Sequence, residues 1–266
     1  MHTIKTFISL ILKTSSIASL HGWRVAFLCG GLAAMGRYRK KMRSRFVSLL
    51  NECAKDGDVE MNLRIAGRRV RFLLRCGNIA DYLIGGELVW GAYSRPEKTP
   101  TSMVDGGANI GMFSILAHAY FPETRIICYE PDKDNLEQLN KNLKINGIRA
   151  KVVPKALWSK ETTLFFHAEE SYAGYVDERP PGITIECVTA EVQDGSWLKL
   201  DIEGGEYEAL PEILGRGVRP SVINMEIHSN NTKGVELVRL LENAGYRLQD
   251  PYDSRPECLN ILAQLK

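Results

Sequence analysis

The sequence predicts an α/β fold built on a largely parallel sheet, and three observations predict it. From about residue 101 onward, short apolar runs alternate with stretches of helical periodicity, the pattern of strands joined by crossover helices. Each apolar run ends in a turn signal. The first of them, SMVD (Ser102 to Asp105), leads straight into a glycine-rich turn, which in open parallel sheets is where a ligand crevice lies.

The chain has 266 residues, 44% hydrophobic and 25% charged, with a formal net charge of +2. That composition is ordinary for a globular protein and argues against disorder. The charge is too small to imply a nucleic-acid partner. Three regions differ in character: residues 1–57 form a helical, basic extension, 58–100 a strand-containing segment, and 101–266 the α/β domain.

At the amino end, FISLIL (Phe7 to Leu12) is followed by Lys13 and is too short for a signal-peptide core. Between Thr14 and Gly36 the single formal charge is Arg24. A central arginine would cost about 2.5 to 3.5 kcal/mol on insertion, so the stretch reads as a packed or amphipathic helix rather than a span. The basic run RYRKKMRSR (Arg37 to Arg45) reads as a solvated helix face. The alternative is peripheral contact of residues 1–45 with anionic lipid headgroups. Six cysteines, with no C-x-x-C pair and no zinc-ligand spacing, fit a reducing, cytoplasmic setting.

In the middle segment, MNLRIAG and RRVRFLL alternate with a period of two and read as strands. YSRPEKTP follows as a linker. The α/β region then offers SMVD, RIICYE (Arg125 to Glu130), a strand within AKVVPKAL (Ala150 to Leu157), WLKLD (Trp197 to Asp201) and SVINMEIH (Ser221 to His228). YRLQ and CLNILAQL suggest a closing antiparallel pair. Asp132 can cap a helix that starts at Lys133 and stops at Gly147. Further helices are expected over Glu206 to Leu214 and Gly234 to Ala244. Glu169 to Pro181 shows no periodicity and reads as a loop that governs specificity.

The turn itself reads Asp105-Gly106-Gly107-Ala108-Asn109-Ile110-Gly111. Glu130 ends the next strand, about 20 residues after the turn, where an acid that grips ribose hydroxyls is expected. A dinucleotide site would want glycine where Ala108 stands and would not place Asp105 against two phosphates. An S-adenosylmethionine site fits better, because Glu130 can take the ribose diol and an acidic wall favours the α-ammonium. Asn109 can bond the methionine carboxylate or hold the turn. A nicotinamide-dependent oxidoreductase and a non-catalytic nucleoside-binding module are the competing readings.

Asp201 ends the fourth strand and, by the same strand-tip logic, lines the methionine end of the donor or the acceptor. Glu203 is placed to orient an acceptor hydroxyl, and His228, at the tip of the fifth strand, is the candidate general base. Glu206 either serves there or favours a helix N-terminus. Asp201 and Glu203, at i and i+2, are the ligand types that hold Mg²⁺, but no third ligand is evident and no metal site is predicted.

Taken together, VDGGANIG, YEPD and LKLDIEGGEYEAL resemble the FkbM-type methyltransferases, and MEIH and LRCGNIAD (Leu74 to Asp81) are similar to that family as well. The resemblance spans roughly residues 60–250. It implies a seven-stranded, Rossmann-like class I methyltransferase sheet with helices on both faces, and S-adenosyl-L-methionine as the methyl donor. It also implies O-methylation of a small hydroxylated acceptor such as a saccharide. Residue by residue, Asp105, Gly107 and Asn109 would form the donor loop, Glu130 would take the ribose, and Pro131 would shape the adjoining wall. Asp201 would lie near the methionine moiety and Ala156 and Leu157 near the adenine. Arg75 and Asp81 would belong to the upstream segment. The basic amino-terminal stretch is not part of the shared pattern.

Overall fold

The computed structural model describes residues 20–34, 40–91, 93–169, 173–177, 182–228, 232–249 and 258–266. FISLIL, and the first residues of the basic run at 37–39, lie outside these. Among the described residues no helix is long and apolar enough to cross a membrane. The described chain forms two compact units.

The first unit draws on Met1–Ala92, Ile110–Tyr120 and Glu137–Ile148. Helix α1 (Leu20–Ala34) buries Val25, Ala26, Cys29 and Leu32, which accounts for its apolar sequence without a membrane. Gly31 lets α2 (Lys40–Asn51) approach: a Cβ there would stand 2.5 Å from the Phe46 ring. The two alternating segments form the expected strands β1 (Asp58–Ile65) and β2 (Arg68–Arg75), paired antiparallel as a hairpin.

The segment after them is a helix, α3 (Ile79–Trp90), rather than more strand and linker. Its central Gly85 and Gly86 depress helix propensity and hide the pattern. Gly85 faces Leu74, Met61 and Cys29, which a Cβ there would meet at 3.4 to 3.6 Å, ordinary contact distances. Asn78 caps α3 by accepting from the Asp81 N–H. Arg75 and Asp81, which the resemblance left without a defined task, pair with each other: Nε and Nη2 donate to the two oxygens of the fully buried Asp81 at 2.9 and 2.7 Å.

The unit also contains α4 (Met112–Tyr120) and the later part of α5 (Lys133–Ile145). The apolar stripe on α5 is accompanied by a second stripe, Gln138, Asn142 and Asn146, at successive i+4 spacings. Those amides complete the open edge of β2. Asn142 accepts from the Leu73 N–H at 2.7 Å and donates to the Leu73 and Ile110 carbonyls. Asn146 accepts from the Arg71 N–H and donates to the Arg71 carbonyl at 2.9 and 2.7 Å, and Gln138 donates to Leu73. An edge strand normally leaves such groups to water or to another strand; here a helix satisfies them. Asn142 is fully buried, so Asn142→Ala strands Leu73 N–H and Ile110 C=O. It is expected to cost about 2 to 4 kcal/mol of stability, read from the shift in denaturant midpoint at unchanged slope.

The second unit draws on Tyr93–Asn109, Phe121–Leu136 and Arg149–Lys266. Its centre is a seven-stranded sheet. Strands β3 (Met103–Gly106), β4 (Ile126–Tyr129) and β5 (Ala150–Val153) step outward in one direction, each parallel to the last. The chain then returns to the other side of β3 with β10 (Trp197–Leu200) and β11 (Val222–His228). The sheet closes with β13 (Cys258–Leu265), antiparallel to both β11 and β12 (Tyr246–Gln249). The spatial order is β12-β13-β11-β10-β3-β4-β5. The closing pair is the one the sequence suggested. Helices α6 (Glu206–Gly215) and α7 (Thr232–Asn243) bury Leu210, Ile213, Leu237 and Leu241 against Val104, Leu198, Leu200 and Ile223. The order of strands reverses between β3 and β10, so the switch point at which a crevice is expected lies at the tips of these two strands.

AKVVPKAL holds the expected third strand, β5, in its first half. Pro154, which has no N–H to donate, separates β5 from β6 (Ala156–Leu157), and β6 belongs to a second sheet. That sheet contains β7 (Thr162–Glu169), β8 (Ala173–Asp177) and β9 (Ile183–Val188), in the order β6-β9-β7-β8. The stretch Glu169 to Pro181 is not all loop: β8 pairs antiparallel with β7, while residues 170–172 and 178–181 lie outside the described ones. A five-residue strand containing Gly174 is too short to show a period.

Candidate active site

Parallel pairing sets Lys199 beside Asp105 and Leu200 beside Gly106. The tips of β3 and β10 therefore bring Asp105, Gly107, Lys199 and Asp201 together from positions nearly a hundred residues apart. Gly107 has φ +69, and a Cβ there would stand 1.9 Å from the Asp201 carbonyl oxygen. Only glycine permits this turn to sit on the neighbouring strand's exit. Gly107 and Ala108 donate their N–H groups to the Tyr129 carbonyl at 3.0 and 2.9 Å, which binds the turn to the tip of β4.

Glu130 stands where that tip ends. It is buried and accepts from the Asn109 N–H at 2.7 Å and the Asp132 N–H at 3.0 Å, with the Asn135 side chain at 3.5 Å. Burial pushes its carboxyl above the usual range, opposed by those two N–H bonds. Two carboxylate oxygens offer about four acceptor directions, so capacity remains for a ribose hydroxyl, but Glu130 also builds the turn. Pro131, half-buried, follows it. Asn109 holds a left-handed conformation, φ +48. Its Oδ1 is buried and has no hydrogen-bond partner among the described residues. A buried amide oxygen without a partner is costly, so this side chain is a candidate to meet a bound ligand. Leu157 packs beside Gly106 in the main core, while the Ala156 methyl belongs to the small core of Leu164, Ile185 and Cys187. Only the backbone of Ala156 is then left to line a donor.

Lys199 was not anticipated. It is buried beneath the turn, donates to the Gly107 carbonyl at 2.6 Å, and lies 3.4 Å from Asp201 and 3.7 Å from Asp105. Burial alone would lower its pKa, but the carboxylates of Asp201 and Asp105 outweigh it and raise the ammonium further. The signal was present: a lysine inside a strand buried along its whole length has no place unless it is paired.

The tips of β10 and β11 converge on a second group. The His228 ring has Nδ1 3.1 Å from Glu206 Oε1 and Nε2 3.1 Å from Glu203 Oε2, with Asp201 and Glu226 oxygens each 3.8 Å from Nε2. Glu206 is fully buried. Besides the ring it accepts from the backbone N–H groups of Gly204 and His228, both at 2.8 Å, so it anchors the histidine rather than merely favouring a helix end. Tyr207 donates its hydroxyl to the His228 carbonyl. Glu203 adopts φ +52, an uncommon conformation for a non-glycine residue and one that clusters at functional sites.

The charges of this group reverse the expectation for His228. Burial would lower its pKa, yet the Glu206 hydrogen bond and the charges of Asp201 and Glu203 push it up to about 10. A ring that keeps its proton through neutral pH is not poised to accept another. Glu203, raised to about 7 by burial and by the neighbouring carboxylates, with His228 opposing, is the group poised to do so. The structure also supplies what the sequence lacked for a cation: Asp201, Glu203 and His228 present ligand atoms all within 4.8 Å of one another.

No match is found among curated proteins. Solved structures similar to this chain include a precorrin-6y C5,15-methyltransferase from Geobacter metallireducens GS-15, with 19% identity and TM-score 0.40 over 64% of this chain and 82% of that one. Another is M. jannaschii TYW2 in complex with AdoMet, with 16% identity and TM-score 0.38 over 79% and 85%. The methyltransferase FkbM domain matches residues 105–248, more than half of the chain, from the acid that opens the donor turn to the strand β12. The chain therefore belongs to the FkbM methyltransferase family and is an S-adenosylmethionine-dependent methyltransferase.

Proposed function

We propose that the enzyme methylates a hydroxyl oxygen of a small, hydroxylated acceptor such as a saccharide. The observation that carries this is the group of Asp201, Glu203, Glu226 and His228, which offers carboxylate oxygens to a hydroxyl where Asp201 meets the turn at Gly107. Acceptors of that kind bind sugars well, whereas a phosphate backbone would be repelled by them.

When bound, S-adenosylmethionine supplies a methyl group already attached to a good leaving sulfonium. Asp105, Gly107, Asn109 and Glu130 would hold it, with Pro131 beside the ribose and Asp201 towards its methionine end. The protein's own work is then chiefly positioning, which can lower a barrier by about 7 to 11 kcal/mol. Glu203 accepts a hydrogen bond from the acceptor hydroxyl and takes its proton as the oxygen–methyl bond forms. Protonated His228, fixed by Glu206, keeps that carboxylate in place.

Two measurements test this reading. Glu130→Gln is expected to weaken donor binding at least about tenfold, since it halves the acceptor capacity at the ribose; an unchanged dissociation constant for S-adenosylhomocysteine in calorimetry removes the ribose assignment. Incubation with methyl-labelled donor and a fractionated cell extract should place the label on the oxygen of a low-molecular-weight product. Label on carbon, on nitrogen or in nucleic acid rejects the acceptor class.

A further inference from the structure

We propose that Asp201, Glu203 and His228 form a divalent-cation site, of the Mn²⁺ or Zn²⁺ kind, which holds the acceptor hydroxyl beside the donor loop. The proposal rests on the methyl-transfer reading above and gives its acceptor site a metal, which would take the place of the proton on His228 Nε2.

Three features of the cluster point this way. The first is spacing. Donors about 2.1 Å from a shared ion lie about 3 to 4 Å apart. Here Nε2 of His228 is 3.1 Å from Glu203 and 3.8 Å from Asp201, and all three ligand atoms fall within 4.8 Å. Glu226 Oε1, also 3.8 Å from Nε2, adds a fourth oxygen within reach. The 3.8 Å separations are too long for hydrogen bonds, so beyond its 3.1 Å contact with Glu203, Nε2 has two further carboxylate oxygens at ligand spacing.

The second feature is the ring's asymmetry. Nδ1 is committed to Glu206, which is fully buried and also holds the His228 and Gly204 N–H groups. That arrangement leaves Nε2 as the ligand nitrogen and fixes its direction, as the outer partners of metal-bound histidines do. The third is charge. Asp201, Glu203, Glu206 and Glu226 surround one imidazole, and the nearby Lys199 ammonium donates to the Gly107 carbonyl on the other side of Asp201. A divalent ion offsets this excess better than a single imidazolium.

The donor set selects the ion. One imidazole nitrogen with two or three carboxylates suits Mn²⁺ or Zn²⁺, while Mg²⁺ prefers oxygen alone. Asp201 touches Lys199 through Oδ2 and the cluster through Oδ1, so a cation there stands one carboxylate from the donor turn. An acceptor hydroxyl taking an open coordination position would meet the methyl group from that side.

The test uses the full chain stripped with a chelator, titrated with Mn²⁺ and followed by electron paramagnetic resonance. About one tightly held ion per chain is expected, with a nitrogen coupling in the pulsed spectrum that reports the histidine ligand directly. Glu203→Gln should weaken Mn²⁺ binding at least about tenfold, and Glu206→Gln, which acts through His228, by about 10- to 100-fold. S-adenosylhomocysteine affinity, measured on every sample, shows that the variants are folded. Absence of stoichiometric Mn²⁺ and Zn²⁺ binding, no nitrogen coupling, or binding indifferent to Glu203→Gln overturns the proposal and leaves a salt-bridged histidine only. If S-adenosylhomocysteine binds and the cation does not, the site falls and the methyltransferase reading stands. If the cation binds and the label is found on carbon or nitrogen, its hydroxyl-holding role falls alone.

Discussion

Replacing Lys199 by methionine is expected to cost about 3 to 5 kcal/mol of stability, the scale for breaking a buried charge cluster by removing one partner. Lys199 is the cation that faces Asp105, which is completely buried, and it also holds the Gly107 carbonyl at 2.6 Å. Methionine keeps the volume and removes the charge, leaving Asp105 and Asp201 facing each other across an apolar side chain. Donor affinity should fall at least about tenfold along with stability, because the turn that carries Asn109 loses its anchor. The double variant Lys199→Met/Asp105→Asn separates the two effects. Removing both charges should recover much of the stability but not the donor binding. Thermal unfolding and titration with S-adenosylhomocysteine read the two quantities. Wild-type stability in Lys199→Met would reject the role assigned to the lysine.

Gly107→Ala should be still more damaging to the donor site. The added methyl would stand 1.9 Å from the Asp201 carbonyl oxygen, and φ +69 is unfavourable for alanine in any case. Neither strand can yield cheaply, since β3 and β10 are held in register by Lys199 opposite Asp105 and by the Asp201 N–H on the Gly106 carbonyl. The turn must therefore swing away from β10. A displacement of about 1 Å at a reacting site can cost about a hundredfold, and donor affinity is expected to fall by that order. Gly204→Ala is the control. Its φ is +100, but nothing lies within 4 Å of the added methyl, so it carries backbone strain of about 1 to 3 kcal/mol without the clash. Equal donor affinities for the two variants would show that the close approach of Gly107 to Asp201 is immaterial.

Much of the architecture could be read before any coordinates. The strand tips Asp105, Glu130 and Asp201 are marked by local signals, an apolar run followed by glycine or an acid, and the cap at Asp132 is real, with its Oδ1 accepting from Asn135 N–H at 2.8 Å. What stayed hidden shares one property. The helix α3 is obscured by Gly85 and Gly86, the first of which faces Leu74 and Met61 of the preceding hairpin. The amide stripe of α5 serves an edge strand some 70 residues earlier in the chain. Strand β6 leaves the main sheet because of a single proline.

The sequence by itself determined the fold class, the glycine-rich turn at the exit of β3 and the family, because these rest on patterns within a few residues of one another: alternation, caps, and glycine at a strand exit. Only the tertiary structure decided the chemistry of the acceptor side. His228 changes from a free base to a charged ring because the carboxylates of Glu206, Asp201 and Glu203 reach it, and Lys199 becomes the buried cation beneath the glycine-rich turn because parallel register sets it beside Asp105. Electrostatic interactions depend on distance in space, and a chain read in order carries no record of which remote charges will be brought within 4 Å.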